Sequence, residues 1–150
     1  MPSTAVNSQG IVSTASDQKH EQWLHVVAAV ILDESGRVLL ARRPANKHQG
    51  GKWEFPGGKV ETSEAAPVAL ARELCEELGI SAAPERMENF IEIRHRYAEK
   101  NIFLDVWLVR HLCNEPYGRE GQEVCWFMKQ DLADLDFPAA NTAVIDKLLA

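Results

Sequence analysis

The segment Gly58-Lys59-Val60-Glu61-Thr62-Ser63-Glu64-Ala65-Ala66-Pro67-Val68-Ala69-Leu70-Ala71-Arg72-Glu73-Leu74-Cys75-Glu76-Glu77-Leu78-Gly79-Ile80 predicts one amphipathic helix framed by glycines. Residues 63–78 carry the helical signal. Ser63 is the candidate cap, and Pro67 falls in the first turn, where its missing N–H costs nothing. Gly79 supplies a left-handed stop. Leu70, Leu74 and Leu78 recur at helical spacing and make a face for a core. A helix turns about 100° per residue, so with Glu73 at zero, Glu77 lies near ~40° and Glu76 near ~−60°. Three carboxylates thus crowd one arc beside the leucines. Like charges three and four residues apart oppose helix formation by a few tenths of a kcal/mol each. A hard cation removes the conflict, because Mg²⁺ favours carboxylate and phosphate oxygens. Three Glu on a helix can also be no more than a solvated acidic face.

Around this helix the pattern changes to strands. Residues 26–32 are β-branched and aliphatic and predict a strand buried on both faces. Glu34-Ser35-Gly36 is a turn, and residues 37–42 return as its partner strand. A loop over residues 44–52 contains the breakers Gly50-Gly51. Residues 90–97 and 101–111 read as two further strands and 124–128 as a shorter one. Residues 141–149 form a closing helix whose apolar stripe is Val144, Ile145, Leu148 and Leu149. Strands surrounding a central helix, with a last helix behind them, define an α/β or α+β sandwich. Residues 1–21 are rich in Ser, Thr, Gln and Asn and have no apolar period. They read as a flexible tail, without the pattern of a secretory signal, ahead of one domain over residues 22–150.

Composition narrows the function. With 150 residues, 45% of them hydrophobic, the chain can bury a single core. Acidic residues outnumber basic ones by 22 to 16, a formal charge of −6. Binding a nucleic-acid polymer needs a basic footprint, so that class is disfavoured. A single nucleotide is not, since its phosphates can be reached through a metal ion. No apolar run of about 18 residues spans a membrane. Cys75, Cys113 and Cys125 show no paired spacing and read as reduced thiols of a cytoplasmic protein. The histidines likewise lack metal-ligand spacing.

From Gly58 to Ile80 every specified position fits G-x5-E-x7-R-E-U-x-E-E-x-G-U, where U is aliphatic. This is the Nudix box, and the chain resembles the Nudix hydrolase family. The resemblance implies an α/β/α sandwich with a mixed sheet and a loop-helix-loop metal site. It implies Mg²⁺, with Mn²⁺ able to substitute, and hydrolysis of a nucleoside diphosphate linked to another group. By position, Glu73, Glu76 and Glu77 would be metal ligands or base, Glu64 would orient the site, and Arg72 would hold a carboxylate in its donor fork.

The flanks resemble the MutT branch, the 8-oxo-dGTP diphosphatases that sanitise the nucleotide pool against mutation. Four segments carry this: Arg42-Arg43-Pro44, Trp53-Glu54-Phe55-Pro56-Gly57-Gly58-Lys59, Gly118-Arg119-Glu120-Gly121-Gln122 and Phe137-Pro138-Ala139-Ala140-Asn141. The resemblance implies that Glu120 and Gly57 join the metal site. It implies a substrate set of Arg43, His48, Glu54, Phe55, Gly58, Lys59, Lys100 and Asn141, with Asn141 on the purine edge. Lys100 departs from the branch, standing where an arginine near the base is usual; it keeps the charge but loses the planar stacking surface for a base contact. Plainer roles stay open. Asn141 can cap the last helix, Glu120 can be surface, Arg43 can form a surface ion pair, and Phe55 can simply pack. Trp107 and Trp126 read as core. Two other functions remain open: a sister branch acting on CTP or modified dCTP, and a non-catalytic nucleotide-sensing Nudix module. The expected form is a monomer acting on a small nucleotide.

Overall fold

The computed structural model describes residues 22–46 and 50–150. The expected tail over residues 1–21 and the expected substrate contact His48 lie outside the described residues.

The Val/Ala/Ile run forms β1, Trp23–Ile31, which starts three residues before the expected strand and is buried from Val27 onward. Asp33 closes the next turn: its carboxylate accepts from the backbone N–H of Ser35 at 3.0 Å and of Arg37 at 2.8 Å. β2, Val38–Arg42, follows, then two short strands that the sequence pattern did not show, β3 at Trp53–Glu54 and β4 at Gly57–Lys59. Next come helix α1, Ala66–Leu78, and strands β5, Glu88–Arg96, β6, Asn101–Val109, and β7, Val124–Phe127. Helix α2, Thr142–Leu149, ends the chain.

One sheet runs β4-β1-β6-β5 and a second runs β3-β2-β7. The first is mixed, since β1 and β6 are parallel while β4 and β5 lie antiparallel to their neighbours. Side chains alternate across a strand, so β1 serves two cores. Ala28, Val30 and Leu32 face the second sheet and α2, together with Leu104, Val106 and Val144. Val27, Ala29 and Ile31 face α1 and meet Leu70, Leu74 and Leu78. Those three leucines are fully buried, each contributing about 1.5–3 kcal/mol of transfer free energy. Trp107 and Trp126 pack against this second core.

Two expectations fail at helix ends. Ser63 does not cap α1; it has φ +70, and Ala65 holds the cap position without a side-chain bond. The reason is the turn before the helix. Glu64 N–H donates to Glu61 O at 3.0 Å, and Glu61 N–H donates to Glu64 Oε1 at 3.0 Å. That turn spends the segment on presenting Glu64 rather than on capping. At the other end of the chain Leu149 is 44% exposed, so the buried stripe of α2 is Val144 and Leu148.

Candidate active site

The central helix packs against the edge strand β4. A Cβ on Gly58 would stand 2.3 Å from the Glu73 carboxyl carbon. The Glu73 carboxylate therefore rests against the β4 backbone, and a larger residue at position 58 would have to displace that side chain. One turn on, Glu77 Oε1 accepts from the Gly57 N–H at 3.3 Å. The glycine pair and the acidic arc are therefore two halves of one feature.

Arg72 organises the outer side. Its Nε and Nη2 grip Glu64 at 2.7 and 3.0 Å in a two-point fork. Nη1 reaches Glu73 at 3.0 Å and Glu76 at 3.3 Å, and Nη2 also donates to Lys59 O at 3.1 Å. One guanidinium thus ties the pre-helix turn, β4 and the acidic arc together, as its fixed five-donor plane permits. Those bonds, Arg72 first, hold the Glu64 carboxyl down at about 2.

The inner side is short of positive charge. Burial pushes Glu77 up to about 8, reinforced by the nearby charges of Glu73 and Glu54. Burial also raises Glu73, against the pull of Arg72, and Glu54, against the pull of Arg43. Arg43 Nη1 donates to Glu54 Oε1 at 2.6 Å. Glu120 adds its charge to Glu73 and Glu77 from a separate loop. Among the described residues no three acidic, His or Cys side chains close into a finished coordination sphere; Glu73 and Glu76 lend oxygens to Arg72 instead. The donor set nonetheless fits a hard divalent cation. Partly buried carboxylates of one sign repel each other until such an ion, with its preference for oxygen, is among them.

Beside the acidic group opens a cleft of about 270 Å³ between β1, β4, β6 and the segment before α2. It is near the lower end for a small-molecule site, ~300 Å³. Arg43, Glu54, Phe55, Gly57, Gly58, Lys59, Glu77, Lys100 and Asn141 all line it. Glu120 lines the adjoining hollow with Arg43, Glu54 and Glu77. Glu64 and Arg72 stand outside both, behind the helix face they brace. Asn141 occupies the cap position of α2, yet its side chain makes no capping bond. Buried at 8% exposure, it donates from Nδ2 to Pro138 O at 3.4 Å. Phe55 packs as well as lines: its ring stacks on Phe137 with centroids 5.7 Å apart.

Sequence reasoning missed the aliphatic walls Leu24, Val26, Ile102 and Leu104, and it missed Tyr97. The Tyr97 hydroxyl accepts from Ala140 N–H at 2.9 Å and so fixes the backbone next to Asn141. The strand period could have pointed to the aliphatics, which lie on the cleft face of β1 and β6. No local signal marks Tyr97.

This combination of two sheets, a glycine-braced acidic helix and a neighbouring cleft defines a Nudix hydrolase. The family described as the NUDIX domain matches residues 27–147, and the chain belongs to it. Nudix hydrolases in general depend on a divalent metal. Among curated relatives, the 8-oxo-dGTP diphosphatase of Escherichia coli K12 is 38% identical over 83% of this chain and 95% of its own. The CTP pyrophosphohydrolase of the same organism is 34% identical over 86% of this chain and 93% of its own. A solved MutT, from work on Aliivibrio salmonicida and Vibrio cholerae, superposes with a TM-score of 0.74 at 36% identity, covering 85% of this chain and 98% of that one. Among the described residues no helix is long and apolar enough to cross a membrane.

Proposed function

We propose that the chain hydrolyses 8-oxo-dGTP, and dGTP, to the nucleoside monophosphate and pyrophosphate, using Mg²⁺ with Mn²⁺ able to substitute, and so keeps oxidised guanine out of DNA. The observation that carries this reading is Asn141, a buried amide with no capping bond in the wall of the cleft that Glu54 and Glu77 also line. An amide can pair with a purine edge through two bonds.

In this reading Glu73, Glu76, Glu77 and Glu120, with the Gly57 backbone, hold the cation. Bound there, it supplies positive charge to the phosphate oxygens and makes water more acidic. The protein's own groups do the rest. Arg72 and Glu64 keep the acidic arc in place. Arg43 and Lys59 bring positive charge to the triphosphate side, Phe55 and Asn141 orient the base, and Lys100 stands near the base. Water attacks a phosphorus, a carboxylate of the set takes its proton, and the bridging P–O bond breaks to release pyrophosphate. The cleft lies within one chain, which suits a monomer. Cys75, Cys113 and Cys125 are free thiols, which suits a reducing cytoplasm.

The 34% identical CTP pyrophosphohydrolase motivates the second reading, a pyrimidine nucleotide in the same cleft. A Mg²⁺-dependent pyrophosphate-release assay across 8-oxo-dGTP, dGTP, dCTP and CTP decides. Preference for 8-oxo-dGTP is expected. Preference for CTP or dCTP would replace the guanine reading, and no turnover on any of the four would leave a nucleotide-sensing module.

A further inference from the structure

The last carbonyls of a helix have no partner inside it. In α1 they are met by a distant stretch, residues 114–122. Tyr117 N–H donates to Leu78 O at 3.1 Å and Arg119 N–H to Glu77 O at 3.0 Å. Arg119 Nη1 donates to Cys75 O at 2.9 Å, and the Asn114 amide donates to Gly79 O. These contacts would suffice to end the helix.

Gln122 makes a different kind of contact. Its Nε2 donates to Glu77 O at 2.9 Å while its Oε1 accepts from the Glu120 N–H at 2.9 Å. One planar carboxamide thus joins the main chains of two acidic residues that line the same hollow. The loop is shaped for this. Gly121 N–H closes a turn onto Gly118 O at 3.0 Å, and Gly121 has φ +85. A Cβ on Gly118 would stand 2.0 Å from Gln122 O, so the chain folds back on itself there. Glu120 sits near the tip of that turn, and the Gln122 amide takes up its backbone N–H.

We propose that Gln122 is a positioning residue for the cation site, holding the Glu120 turn in register with the Glu77 end of α1. This rests on the reading of Glu120 as part of the metal set. Both ends of the amide are needed, and so is its length. Methionine keeps the volume but has neither donor nor strong acceptor. Asparagine keeps the amide but is one methylene too short to span both main chains.

The test uses the full chain without nucleotide, with Mn²⁺ alone as the probe, its binding followed by electron paramagnetic resonance. Gln122→Met and Gln122→Asn are each expected to weaken Mn²⁺ binding about tenfold, the lower range for loss of a partner that orients a metal ligand. They should lower kcat and leave KM for the nucleotide within about twofold, because Gln122 acts on a cation ligand rather than on the base. In Glu120→Gln, which weakens Mn²⁺ by itself, adding Gln122→Met should cost nothing further, since the two act as one unit. Additive losses, or wild-type Mn²⁺ binding in the Asn variant, would overturn the role of Gln122 while leaving Glu120 in place. Wild-type Mn²⁺ binding in Glu120→Gln would remove the metal reading of Glu120 and this proposal with it. If the Met variant does not fold, the Asn variant decides alone.

Discussion

Glu77 Oε1 accepts the Gly57 backbone N–H at 3.3 Å, joining the last turn of α1 to the edge strand β4. A glutamine at this position keeps an acceptor for that N–H and removes the charge. Glu77→Gln should therefore keep its circular dichroism spectrum while turnover falls by more than about a hundredfold, ~2.7 kcal/mol of barrier. Turnover within about threefold of wild type would take Glu77 out of the site.

The same carboxyl makes stability depend on pH. Its pKa rises on folding from an ordinary 4.5 to about 8. A carboxyl raised in this way binds its proton more tightly in the folded state. Its contribution is full below pH 4.5 and is lost as pH climbs toward about 8. In a chelator, the melting temperature of the protein should fall across that window. Mg²⁺ should restore it at the alkaline end, and Glu77→Gln should flatten the slope. A chelated wild type whose melting temperature is level across the window would refute the buried-charge account.

Arg72 joins four residues, Glu64, Glu73, Glu76 and Lys59, and lysine cannot copy its fork. Arg72→Lys should lower kcat at least about tenfold, ~1.4 kcal/mol, with a smaller change in KM. It should also alter the acid limb of stability. Glu64 is depressed from 4.5 to about 2 on folding, so its contribution is present above pH 4.5 and is lost as pH falls toward 2. In the lysine variant that loss is smaller and is complete at a higher pH, because the folded-state pKa lies nearer its ordinary 4.5, which acid titration followed by circular dichroism would show. An unchanged acid midpoint would mean that the Arg72–Glu64 fork does not set the Glu64 pKa.

Asn141 separates base reading from helix capping. Its side chain makes no capping bond, so Asn141→Ala should cost less stability than the ~1 kcal/mol of a lost cap. Its KM for 8-oxo-dGTP should rise far more than kcat falls. The preference over dGTP should shrink by roughly 1–3 kcal/mol, the worth of a good bidentate base contact. Equal kcat/KM ratios in wild type and variant, with a drop in melting temperature, would return Asn141 to a structural role.

The acidic arc, the leucine face and the glycine frame were legible in residues 58–80 because a helix writes its geometry into local spacing: 100° per residue places Glu73, Glu76 and Glu77 together whatever surrounds them. The β-branched run of β1 was equally plain, for a strand buried on both faces has no polar alternation to hide it. The two-residue strand β3 and three-residue β4 were not, because pieces that short exist only through their partners, β2 and β1. Ser63 misled for a related reason. Local preference favoured a cap, but the fork between Glu64 and Arg72, eight residues apart, shaped the turn.

The sequence by itself therefore determined the central helix, its charge and the kind of ion it suits. The tertiary structure decided what stands opposite: Arg43 against Glu54, Tyr97 under Ala140, Asn141 in the cleft wall and Gln122 between Glu77 and Glu120. Most of these partners are more than ten residues apart, and Tyr97–Ala140 and Glu77–Gln122 are more than forty apart. Their meeting depends on the parallel register of β1 with β6 and on the packing of two sheets. A slip of one residue in that register would turn every side chain of the slipped strand to the opposite face.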